Sequence, residues 1–170
     1  LIANGQELPF IVISPQGPDA TLTPWVLPEF IDSIVNDVMA RYPVDPQRIY
    51  VTGLSAGGGG TVYYANEHPE KVAAALPVAT TLVTSSTTSF LTTSNAFRMN
   101  GVPMWSSVNV IDGTVGRVQT ERVNLFMIES RIPPSVSPMM TIYNKNSHDS
   151  WTDTYNNQQV YDWLLDQVKL

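Results

Sequence analysis

The stretch YVTGLSAGGGGTVYY, Tyr50 to Tyr64, runs from a β-branched and aromatic opening into a serine flanked by glycines, and then into four glycines in succession. Glycine weakens regular structure, so a cluster of it needs a reason. Three readings compete: a flexible linker, a phosphate-cradling loop, and the seat of a nucleophile. Gly53-Leu54-Ser55-Ala56-Gly57 fits Gly-x-Ser-x-Gly. In that pattern the serine stands on a sharp strand-to-helix turn in a strained backbone conformation, and side chains two residues to either side would collide with neighbouring elements. The helix that follows aims its dipole and its free N–H groups at the serine. A phosphate loop would need Gly-Lys-Ser/Thr, which does not follow. A glycine-rich packing turn is the plainer alternative. Gly58, Gly59 and Gly60 read as letting the new helix lie close against the strands.

The flanks give the motif its setting. Arg48 to Thr52 reads as a strand, and Ala56 to about Glu67 as a helix ending at His68-Pro69. Upstream, PFIVIS (Pro9 to Ser14) is a compact apolar run that reads as a buried strand. Phe30, Ile31, Ile34, Val35, Val38 and Met39 recur at helical spacing between Pro28 and Arg41, and Tyr42-Pro43 stops that helix. Downstream, Val72–Val78, Val102–Val110 and Met139–Tyr143 read as strands, and Gly116–Ser130 and Gln158–Val168 as helices. Thr80 to Asn95, rich in Ser and Thr, reads as a surface excursion. Strands and helices alternate without internal repeats or a dividing linker. That order predicts an α/β fold in one domain, 1–170, with a mostly parallel sheet and helices on both faces.

Bulk composition narrows the chemistry. The 170 residues are 43% apolar and 14% charged, which excludes a disordered acidic chain. Nine basic residues against fifteen acidic give a net charge of −6 with no basic stripe, so nucleic acid and anionic membranes are poor partners. There is no cysteine, which removes thiol nucleophiles, disulfides and cysteine-ligated zinc. Two histidines disfavour a multi-histidine metal site. No metal or organic cofactor is implied, and no apolar run is long enough to span a bilayer.

A serine hydroxyl needs a base. His68, in Glu67-His68-Pro69-Glu70, ends the helix that Ser55 begins, about 18 Å away along twelve helical residues. His148, in Asn146-Ser147-His148-Asp149-Ser150-Trp151, follows the strand ending near Tyr143. Sites in open α/β sheets form at the carboxyl ends of strands, where Ser55 and His148 both fall. The imidazole needs an orienting carboxylate. Asp112, in Val110-Ile111-Asp112-Gly113, also follows a strand directly. Asp149 is adjacent to His148 and poorly placed to reach its Nδ1, and Asp153 is a fallback. The chain order Ser55, Asp112, His148 is that of α/β-hydrolase triads. Trp25, Trp105 and Trp151 are candidates for an aromatic substrate surface near the strand ends, with core packing as the alternative.

With these pieces in place, the sequence resembles the α/β-hydrolase superfamily, in particular a bacterial carboxylesterase branch described as phospholipase/carboxylesterase-like, dienelactone-hydrolase-like, predicted peptidase, or polyhydroxybutyrate-depolymerase and feruloyl-esterase-like. The resemblance rests on PFIVISPQ, DPQRIYVTGLSAGGGGTVYYANEHPEKVAAALP, VPMWSSVNVIDGTV and MTIYNKNSHDSW, spread over nearly the whole chain. It implies Ser55 as nucleophile, Asp112 as acid, His148 as base, and the Ala56 N–H as an oxyanion donor. It also implies a small-molecule or polymeric ester substrate and, with the Asn/Thr/Ser-rich composition, a secreted or periplasmic location.

Two departures stand out. The family has strands before PFIVIS, one ending in a His-Gly loop that supplies a second oxyanion donor, and in the family's sheet this strand lies between PFIVIS and the strand at Ile49 to Thr52. The chain begins at Leu1, eight residues before PFIVIS, so the expectation is a longer native domain of which 1–170 is the C-terminal three-quarters. Val108-Asn109 stands where the family often has His-Asn or His-Gly. Three functional readings follow: a serine carboxylic ester hydrolase, a serine peptidase using the same three residues, and a non-catalytic hydrolase-fold binding module.

Overall fold

The computed structural model describes residue 5 and residues 7–16, 28–82, 91–92, 94–130 and 132–169. The elements run α1 (Pro28–Arg41), β1 (Tyr50–Leu54), α2 (Ala56–Glu67), β2 (Ala74–Val78), a 3-10 turn (Ala96–Met99), β3 (Trp105–Ile111), α3 (Arg117–Ile128), β4 (Met139–Asn146), α4 (Trp151–Tyr155) and α5 (Gln158–Asp166). The four strands form one parallel sheet in the order β1-β2-β3-β4. Each strand-to-strand connection contains helical structure, as parallel neighbours require.

β2 explains why helices cover both faces. All five of its residues, Ala74 to Val78, are buried. Because side chains alternate along a strand, a run buried throughout must feed two cores. Ala75 joins Met104, Val62 and Ala65 of α2, and Val123 and Met127 of α3 in the first core, with Ile31 and Val35 of α1 packed against it. Ala74, Leu76 and Val78 join Val160 and Leu164 of α5 in the second. Burial of each such Val, Leu or Met contributes about 1.5–3 kcal/mol. The α/β architecture read from the sequence is therefore the observed one. Among the described residues no helix is long and apolar enough to cross a membrane.

The PFIVIS reading needs correction. Pro9 to Ser14 forms no strand, and Ile11, Val12 and Ile13 are exposed, Val12 to 76%. An apolar run becomes a strand only where a neighbour accepts its backbone hydrogen bonds, and β1, the nearest edge of the sheet, is not paired with it. Instead a groove of about 1120 Å³ lies between them, with Phe10, Ile11 and Val12 on one wall and Val51, Gly57 and Tyr64 on the other.

Other differences are smaller. β4 continues through Asn144-Lys145-Asn146, three residues beyond the expected end, because the ladder to β3 resumes at Ile111↔Asn146 after a register shift. Backbone pairing, not side-chain character, carries it there. Thr80, Leu82 and Leu91, at the ends of the expected surface excursion, are buried. The Thr80 N–H donates to Thr120 Oγ1 and the Leu82 N–H to Gln119 Oε1, which ties the start of that segment to α3. Residues 83–90 and 93 lie outside the described residues.

Candidate active site

β1 ends at Leu54 and α2 starts at Ala56, so Ser55 alone makes the turn. Its backbone is at φ 52°, ψ −115°, a region that costs a non-glycine residue on the order of 1–3 kcal/mol. Gly53 makes the turn possible: a Cβ there would lie 2.4 Å from the carbonyl oxygen of Gly57. Gly58 permits the second close approach, where a Cβ would meet the carbonyl oxygen of Val78 at 2.8 Å. Gly57 differs from the steric expectation, since a Cβ there would meet nothing within 4 Å. It faces the groove instead. The turn is anchored to β2 by the Ser55 N–H, which donates to Val78 O at 2.9 Å. The first helical bond runs from Gly59 N–H to Ser55 O at 3.2 Å, so the N–H groups of Ala56, Gly57 and Gly58 have no acceptor within the helix.

His148 stands two residues past the end of β4. The Ser147 N–H donates to Ile111 O at 3.0 Å, which holds the loop against the end of β3. The imidazole Nδ1 lies 2.8 Å from Asp112 Oδ2, and Nε2 lies 2.9 Å from Ser55 Oγ. A carboxylate only accepts, so Nδ1 carries the proton and Nε2 is free to accept from the Ser55 hydroxyl. The Asp112 side chain is fully buried. Its other oxygen, Oδ1, accepts from the N–H groups of Thr114 at 2.9 Å and Val115 at 3.1 Å, which turns Oδ2 toward the ring. Trp151 stands edge-on to the His148 ring at 5.2 Å between centroids.

The rival groups are engaged elsewhere. Asp149 accepts from the N–H and hydroxyl of Thr152, capping α4. The Thr152 N–H bond is the main reason its carboxyl is held below the usual range; burial opposes this, while the Thr152 hydroxyl and the Lys145 and His148 charges add to it. Asp153 pairs with Lys145 at 2.5 Å. His68 caps the far end of α2 and stacks on Tyr64 at 4.9 Å.

The three tryptophans part company. Trp151 is beside His148. Trp105 does not join the site: it opens β3, packs edge-on against Trp163 of α5 at 5.6 Å and donates its indole N–H to Thr141 Oγ1. Being at the amino end of its strand, it belongs to the second core. Trp25 lies outside the described residues.

Asn109 was marked in the sequence only as a departure from the family pattern. Its Nδ2 donates to Ser147 O at 2.8 Å and Asp149 O at 3.0 Å, the carbonyls on either side of His148. An asparagine inside the apolar run Val108-Asn109-Val110-Ile111 was the available signal, because a polar side chain buried in a strand must find partners. Among the described residues, no group of three or more His, Asp or Glu is placed to hold a metal ion.

No family model matches the chain. A segment of 49 residues, 29% of the chain, is 43% identical to poly(3-hydroxyalkanoate) depolymerase C of Paucimonas lemoignei, of which it spans 12%. Among solved structures, a thermostable esterase aligns over 82% of the chain and 36% of its own length, at TM-score 0.69 and 28% identity. SOBER1 of Arabidopsis thaliana aligns over 94% of the chain and 70% of its own length, at TM-score 0.65 and 18% identity. The chain has the α/β-hydrolase fold, and its likenesses include an esterase and a poly(3-hydroxyalkanoate) depolymerase.

Proposed function

We propose that the chain carries the catalytic groups of a serine hydrolase acting on carboxylic esters. The observation that carries this reading is the hydrogen-bonded sequence from Ser55 Oγ through His148 to Asp112 Oδ2, with steps of 2.9 and 2.8 Å. In this reading Ser55 attacks the ester carbonyl as His148 Nε2 takes its proton. Asp112 holds the imidazole and stabilises the charge it acquires. The Ala56 N–H, at the amino end of α2, faces the developing oxyanion, and one such donor is worth about 3 kcal/mol. His148 returns the proton to the leaving alcohol, and water then clears the acyl group from Ser55 by the same route in reverse. Each step of this route is carried by Ser55, His148, Asp112, the Ala56 N–H and water.

The substrate classes are a short acyl ester, an acetylated or feruloylated polysaccharide, and an aliphatic polyester. The likeness to a poly(3-hydroxyalkanoate) depolymerase favours the polyester and accords with a secreted or periplasmic location. The groove beside β1 supports a catalytic domain longer than these residues, with further polypeptide between Pro9–Ser14 and the sheet.

The test is a fluorophosphonate probe on the full-length protein. Labelling that disappears in Ser55→Ala, together with loss of p-nitrophenyl acetate turnover, is the expected result. Turnover surviving in Ser55→Ala overturns the reading. Peptide hydrolysis uses the same residues, and parallel rates on a matched ester and anilide distinguish the two.

A further inference from the structure

Asn109 is fully buried on β3, three residues before Asp112. Both protons of its carboxamide are used on the loop that carries His148, one on Ser147 O and one on Asp149 O. Those acceptors fix the orientation of the amide, since turning it over would set its oxygen against two carbonyl oxygens. Its Oδ1 is left buried with no partner among the described residues, a cost on the order of 1–3 kcal/mol that a residue serving packing alone would avoid.

The geometry has a specific consequence. The His148 loop hangs from β3 through Asn109 and through Ile111 O, while Asp112 follows β3 covalently. His148 and Asp112 are thus both referenced to the four consecutive residues 109–112, the last three of β3 and the one that follows it. The 2.8 Å separation of His148 Nδ1 from Asp112 Oδ2 therefore joins two groups that are both tied to residues 109–112. Resting on the triad reading above, we propose that Asn109 is a positioning residue for the general base, holding the main chain on both sides of His148 so that the ring meets Asp112 and Ser55 together. It touches neither substrate nor the reacting atoms.

The experiment compares full-length wild type, Asn109→Ala, Asn109→Asp and Ser107→Ala. Asn109→Asp keeps the size of the side chain but turns an acceptor on both carbonyls. Ser107→Ala removes a different buried hydrogen bond of β3, the 2.7 Å contact to Thr154 Oγ1, and serves as the stability control. Fluorophosphonate acylation rates are measured per folded molecule, with the folded fraction taken from thermal melts, alongside kcat and KM for p-nitrophenyl acetate.

Both Asn109 variants are expected to lose about 10²-fold in acylation rate, the scale of a misplacement near 1 Å, with KM little changed. The same variants are expected to lose kcat on p-nitrophenyl acetate by a similar factor, because a misplaced His148 slows proton transfer from Ser55. Ser107→Ala is expected to melt lower yet acylate at the wild-type rate. Folded Asn109 variants with wild-type acylation rate and kcat overturn the inference while wild type remains labelled. A wild type that takes no label overturns the triad reading, and this inference with it.

Discussion

The glycines around Ser55 do unequal work, and substitutions separate them. Gly53→Ala pushes a methyl into the main chain of Gly57, where no flexible side chain can yield. Overpacking of that kind costs about 1–3 kcal/mol, so a denaturation midpoint well below wild type is expected. Gly57→Ala meets open space within these residues and sits in a helix. It is expected to raise stability by about 0.5–1 kcal/mol in a urea titration of the 170-residue chain. A second residue-level expectation concerns Asp112. Asp112→Asn keeps the shape but lets the wrong histidine tautomer form, and kcat should fall on the order of 10⁴-fold with the fold intact by circular dichroism. At this scale the motif Gly53 to Gly57 and the two strand-end residues Asp112 and His148 could be read directly, because each obeys a local rule. Asn109 could be noticed but not assigned, since its partners lie 38 and 40 residues away.

Among the elements, α1 shows what periodicity can deliver. Its apolar spacing and the following Tyr42-Pro43 define Pro28–Arg41, the observed bounds. PFIVIS shows what it cannot deliver, because a strand depends on a partner that its own residues do not encode. The junction of α1 with α2 also carries a pH dependence. Asp32 accepts from Lys71 Nζ at 2.5 Å and from Tyr64 Oη at 3.0 Å. Burial works against its charge, but those two hydrogen bonds, with the His68 and Lys71 charges, outweigh it and hold the carboxyl below its ordinary 3.8. A lowered folded pKa stabilises the protein above the unfolded value, and that contribution is lost as pH falls through the folded value. Asp32→Asn should therefore lower stability at neutral pH and flatten its decline below about pH 4, as read from urea midpoints across that range.

For the molecule as a whole, the sheet has a covered interior and two edges, β1 and β4. β2 and β3 lie between neighbours, while β1 turns an edge to a groove walled by Phe10, Ile11, Val12, Val51 and Tyr64. An edge strand with apolar surroundings is a template for pairing. The isolated 170-residue chain should bind a hydrophobic dye and show concentration-dependent association in sedimentation velocity. A sharp monomer without dye binding would mean that Pro9–Ser14 closes the groove in solution.

The β1 edge bears on how the backbone around Ser55 is supported over time. Amides of β2, bonded on both sides and buried throughout, should exchange with solvent deuterium only when the whole domain opens. Those of β1 that face the groove should exchange early. Ser55, fastened by its N–H to Val78 at one side and standing at the end of β1 on the other, lies between the backbone expected to exchange slowest and the backbone expected to exchange early. A ligand or polypeptide seated in that groove would then slow the clock of the strand that leads into Ser55.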